Sequence, residues 1–154
     1  MSYASAIISD LELVHADEED HNGIRETTQW SRAFSIFNLN RKRIKALKSL
    51  LELGSLPEDW DSYGSPPPTE YAMDTGCSFI VNYLSDEDPM PWVSPVSGGG
   101  IQLSWKKQAN ELNLDILPDG RMEFLKSSDS DPIEVDEKFS LDGLKIQSML
   151  DWVR

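Results

Sequence analysis

The chain has 154 residues, 39% hydrophobic and 27% charged, with 27 acidic against 14 basic side chains and a formal net charge of −13. That length suits one domain with a sizeable core, and the acidic excess argues against gripping a nucleic-acid backbone, whose phosphates need Lys and Arg. The lone Cys77 leaves no internal disulfide framework, no long apolar run offers a membrane span, and the stretch from Ala4 to Ile8 is too short and too close to Asp10 and Glu12 for a secretory leader. The expectation is a cytoplasmic protein.

Residues 1–28 pair a weak apolar patch (Ile7, Ile8, Leu11, Leu13, Val14) with the acidic run Asp17-Glu18-Glu19-Asp20. A self-repelling run with little to bury predicts a mobile arm, set apart from a single domain over 29–154. From Trp30 to Leu53, Phe34, Phe37, Ile44, Leu47 and Leu51 fall on one helical stripe, with a break expected near Asn38 to Asn40. Gly54 stands where a C-cap glycine belongs. The prolines at 66, 67 and 68 then forbid a helix interior, and Thr69 offers an N-cap for a helix to Leu84 that buries Ala72, Gly76, Phe79, Ile80 and Tyr83. Glycine within that helix implies close approach of another element.

Beyond Pro89 the period changes to two. Pro91 to Val96 allows only a short edge strand, because proline cannot donate to a ladder. Ile101, Leu103 and Trp105, then Leu112, Leu114 and Ile116, then Met122 and Phe124 alternate with polar residues, which predicts an antiparallel meander with one wet face. Pro118-Asp119-Gly120 marks a hairpin turn. Residues 127–137 read as polar and acidic, and Leu141 to Val153 as a last helix with Leu144, Met149, Leu150 and Trp152 on its apolar positions. The fold class is therefore α+β, an antiparallel β-meander of three to five strands packed on one face by two to four helices.

Few residues offer chemistry. His15 and His21 flank the acidic run and, as imidazole beside carboxylates, are the only basis for a small metal-dependent hydrolase; the run lacks the rigidity a metal site needs, so no metal or other cofactor is expected. Cys77 on an apolar helix face reads as a buried structural thiol. Gly98-Gly99-Gly100 leads into a strand rather than a helix, unlike a phosphate-binding loop. Asp59, Asp61 and Tyr63 cluster in one turn, where the carboxylates serve either the turn itself or a partner. Arg41, Lys42, Arg43, Lys45 and Lys48 gather five of the 14 basic residues on one helix, either as a solvated face or as a docking stripe. Of the five tryptophans, Trp105 belongs to the core, and Trp92, between prolines, is the interface candidate.

The pattern Trp60-Asp61-x-Tyr63-Gly64, Pro66-Pro67-Pro68, Pro91 to Val96, Gly99-Gly100-Ile101-x-Leu103-x-Trp105, Glu111-Leu112-x-Leu114-x-Ile116 and Asp119-Gly120 resembles a widespread bacterial domain without an established activity. The resemblance spans residues 56–124, somewhat under half the chain. It implies a compact α/β module with no catalytic residues to carry over, and by association a place in toxin–antitoxin, immunity or phage-defence systems.

Together these features point to a non-enzymatic acidic protein-binding module of inhibitor or antitoxin type, acting on a basic partner such as a nucleic-acid-handling protein. Its expected contact residues are Trp92, Asp59, Asp61, Tyr63, Arg41, Arg43, Lys45 and Lys48. The rival expectation is a self-assembling protein, a homodimer for instance, using the strand edge near Trp92.

Overall fold

The computed structural model describes residues 41–139 and 142–154, so the expected acidic arm, His15, His21, the first helical piece from Trp30 and the weak N-terminal patch lie outside the described residues. Helix α1 spans Arg41–Leu53 and buries Ala46, Leu47 and Leu50, with Ile44 and Leu51 packed at the margin. It does not end on a left-handed glycine. Gly54 keeps a negative φ, and the amides of Gly54, Ser55 and Leu56 donate to carbonyls three residues back at 3.1–3.2 Å. Tightened turns of this kind absorb the orphan carbonyls that a C-cap glycine would otherwise satisfy.

Helix α2, Glu70–Asn82, starts where the sequence places it. Thr69 is extended at ψ 157, and its hydroxyl accepts the Ala72 amide at 3.2 Å. The helix stops at Asn82, with Tyr83 as its cap, two residues short of the expected Leu84. Gly76 explains how α2 seats so closely. A Cβ there would lie 2.5 Å from Ile101 Cδ1 and 2.7 Å from Leu50 Cδ1, closer than carbon atoms tolerate. The missing side chain lets α2 touch α1 and the sheet together.

The sheet follows as β1 (Trp92–Val96), β2 (Gly100–Lys107), β3 (Asn110–Ile116), β4 (Met122–Ser128) and β5 (Asp131–Phe139), antiparallel and in sequence order. Glycines shape two of its turns: Gly98 and Gly99 take φ near +90 between β1 and β2, and Gly120 takes +83 before β4. Pairing sets Leu103 opposite Leu114 and Leu114 opposite Phe124, so the apolar half of each alternation faces one way. β5 takes up most of the stretch 127–137 that reads as polar and acidic. It is an edge strand with Pro132 and carboxylates, kept in place by pairing with β4 through two register shifts and by Phe139 set edge-to-face on Phe124 at 5.2 Å. Charges, proline and bulges protect a sheet edge from foreign strands, and they also erase the hydrophobic period.

Helix α3, Gly143–Leu150, is capped by Asp142, whose carboxylate accepts the Leu144 amide at 2.9 Å, and it runs into a 3-10 turn at Asp151–Val153. Ile146, Met149, Leu150 and Val153 form its buried stripe. Leu144, expected among the apolar positions, is 83% exposed because that stripe runs along another side of the helix. Residues from all three helices join Ile101, Leu103, Trp105, Leu112, Leu114, Ile116, Met122 and Phe124 in one core cluster. The helices thus cover one face of the five-stranded sheet, an α+β fold of the expected class. Each large side chain fully buried there contributes roughly 1.5–3 kcal/mol of transfer free energy.

Candidate functional site

The loop carrying Asp59, Asp61 and Tyr63 is built around Asp61. Its carboxylate accepts the Ser65 hydroxyl at 2.6 Å, the Tyr63 amide at 2.9 Å, the Ser65 amide at 3.2 Å and the Ser97 hydroxyl at 3.0 Å. These bonds, led by that of the Ser65 hydroxyl, lower its pKa from 3.8 to about 2. Asp59, at φ +60, accepts the Gly64 amide at 2.7 Å. Ser97 belongs to the β1–β2 turn, and Thr69 closes the cluster: its amide donates to the Gly99 carbonyl at 2.9 Å and its hydroxyl to the Pro118 carbonyl at 2.6 Å. The separate pieces Trp60 to Gly64, Pro66 to Thr69, Gly98-Gly99 and Pro118 to Gly120 therefore meet at one end of the sheet. Asp61 spends both oxygens and Asp59 one inside this knot, while Tyr63, 93% exposed, extends from it.

The basic stripe divides. Arg41, Lys45 and Lys48 lie exposed along α1. Arg43 is drawn inward, its guanidinium donating to Asp86 Oδ1 at 2.6 and 3.1 Å and to the Val81 carbonyl at 3.3 Å. Its place is therefore at the junction of α1 with the end of α2. A second ionic group lies nearby in the fold: Asp88, 1% exposed, takes the Nε and Nη2 of Arg154 at 2.7 and 2.5 Å and the amide and hydroxyl of Ser85 at 2.7 and 2.8 Å. Burial raises the cost of its charge, but these bonds outweigh that and hold the carboxyl below its ordinary range. Burial, with the charge of Asp74, pushes the Cys77 thiol up to about 12, and the side chain is fully enclosed.

The sheet face turned away from the helices is the most distinctive surface. Register aligns Trp92, Ser104, Asn113, Leu125 and Val135 in one row across all five strands. A second row runs Gln102, Asp115 and Glu123, with Gln102 Nε2 donating to Asp115 Oδ1 at 2.7 Å. Lys106 and Glu111 pair on the opposite side of the Trp92 row. On the outward positions of β2, β3 and β4 there are thus three carboxylates, Glu111, Asp115 and Glu123, against one ammonium, Lys106. Trp92 is 79% exposed at one edge and Val135 is 58% exposed at the other. Against Trp92 the sheet forms a recess of about 300 Å³ with Ser104, Lys106, Glu111 and Asn113 on its walls.

Trp92 thus stands free as the prolines around it suggest, but the residues that complete its surface come from strands 12 or more positions away. Alternation alone marks Ser104, Glu111, Asn113 and Leu125 as outward; only pairing register joins them to Trp92. Among the described residues, no three potential metal ligands lie together, and no helix is long and apolar enough to cross a membrane. No protein-family model, no curated protein and no solved structure matches this chain.

Proposed function

We propose that this protein is a non-enzymatic, acidic protein-binding module of inhibitor, antitoxin or immunity type, acting in a bacterial or phage cytoplasm on a basic partner such as a nucleic-acid-handling protein. The observation that carries this reading is the outward sheet face, where an exposed tryptophan and branched aliphatic residues are interspersed with an excess of carboxylates. A large aromatic surrounded by polar groups is the usual anchor of a protein interface. The net charge of −13 supplies a long-range field that steers basic proteins toward it. The loop knot at Asp61 supports the face by fixing the β1–β2 turn.

The test is capture of partners from the native host by the tagged full chain, first in low and then in moderate salt. A stoichiometric basic partner that leaves as salt rises is the expected result. Failure to capture any specific partner, together with no effect on nuclease activity, would end the proposal. One observation favours a second reading, self-assembly: among the described strands β1 pairs with β2 alone and ends the sheet order, and it carries the exposed Trp92. Sedimentation separates the two, because a strict monomer at high concentration removes self-assembly.

A further inference from the structure

We infer that the recess beside Trp92 receives an arginine side chain of the basic partner, with the guanidinium stacked on the indole and paired with Glu111. The inference rests on the protein-binding reading above and names the chemistry at its centre. Three features carry it. Trp92 offers an aromatic surface that is 79% exposed on β1, and an indole is the best aromatic partner for a cation. Glu111 lines the same recess, with the Asn113 amide and the Ser104 hydroxyl as further polar partners, and the cavity of about 300 Å³ admits one side chain rather than a helix or a strand. The rows around it place Asp115 and Glu123 on the same face, so the charge surrounding the recess is negative.

The carboxylate of Glu111 is occupied by Lys106, and this is the basis of the selectivity for arginine. Lys106 is 65% exposed, and a pair so open to water is weak. A guanidinium exchanges with it on better terms, since its planar fork can bond both carboxylate oxygens while its flat face lies on the indole, which an ammonium cannot match. The Glu111 backbone is fixed for the purpose: the Trp152 indole N–H donates to its carbonyl at 3.2 Å. The arginine displaces Lys106 into solvent. The recess therefore distinguishes the two basic side chains, where the general acidic field of the protein does not.

The experiment titrates the isotope-labelled full chain with a short oligo-arginine peptide and with an oligolysine of equal length in low salt, following the indole N–H resonances by NMR. Expected are a shift of the Trp92 resonance with the arginine peptide, tighter binding of arginine than of lysine, and loss of that preference in Trp92→Ala. That substitution weakens the arginine peptide by about two- to thirty-fold, the worth of a cation–π contact from exposed to desolvated. Glu111→Gln weakens it also, whereas Lys106→Gln tightens it by up to about five-fold by removing the internal competitor. Trp92, Glu111 and Lys106 lie outside the core cluster, and a thermal melt checks that each variant folds. Equal binding of the two peptides, an unmoved Trp92 resonance or an unaltered arginine affinity in Trp92→Ala would overturn the inference. If a salt-sensitive basic partner is still captured in that case, the binding reading stands without the arginine site; a confirmed arginine site with no captured partner sinks the binding reading instead.

Discussion

Replacing Gly76 with alanine tests the packing that seats α2 on the sheet. In a helix interior the change by itself favours the folded state by about 1 kcal/mol. Here the added Cβ would meet Ile101 Cδ1 at 2.5 Å and Leu50 Cδ1 at 2.7 Å, where carbon contacts prefer about 3.5–4.0 Å. Both neighbours are fully buried, so each must move by about 1 Å into a filled core. Overpacking of this kind costs roughly 1–3 kcal/mol. The net expectation is a loss of about 1 kcal/mol and a melting temperature lower by about 2–4 °C for a chain of this size. Gly143→Ala is the control, because a Cβ there meets nothing within 4 Å and the same chemical change should stabilise by about 0.5 kcal/mol. Thermal and urea unfolding followed by circular dichroism reads both. Ile101→Val removes the closest clashing atom, so in a double-mutant cycle it should recover about 1 kcal/mol of the Gly76→Ala loss. If Gly76→Ala proves as stable as Gly143→Ala, or the cycle shows no coupling, the close-approach argument fails.

Three further outcomes follow from the polar and buried groups. Because the Asp61 carboxyl titrates at about 2 in the folded chain and near 3.8 when free, the unfolded state binds more protons between those values. Its contribution to stability is complete above 3.8 and fades as pH falls through about 2, so the melting-temperature gap between the native chain and Asp61→Asn should close over that window; a constant gap would refute it. Asp88→Ala should cost about 2–3 kcal/mol in chemical denaturation, since it strands two Ser85 donors and much of the Arg154 guanidinium. A loss below about 0.5 kcal/mol, no more than an ordinary surface change, would mean that Asp151 and Gln147 suffice to hold Arg154. Cys77, enclosed and with its thiol pushed up to about 12, should react with a disulfide reagent only as fast as the protein opens, and rapid labelling of the folded chain would contradict its placement.

Local chemistry made much of this fold legible. Thr69 could be named as a cap because its hydroxyl reaches an amide three residues on, and the turn at Gly120 because glycine alone reaches positive φ without strain. The alternation along β2, β3 and β4 gave the face of each strand, since the side-chain period of a strand depends on its backbone only. Gly76 likewise announced a close neighbour without saying which. Sequence distance hid the rest. β5 is held by pairing with β4 and by Phe139 on Phe124, so its polar composition carries no strand signal of its own. Leu144 fits an apolar helix pattern, yet the side of α3 that meets the core carries Ile146, Met149 and Leu150. Arg43 belongs by sequence to a basic stripe, but Asp86, 43 residues later, draws it into a structural pair. The surface at Trp92 is the same case. Its tryptophan was visible as an unusual residue between prolines, whereas Glu111 and Asn113 became its neighbours only when cross-strand hydrogen bonds fixed the register, which is a property of the folded sheet and of no single segment.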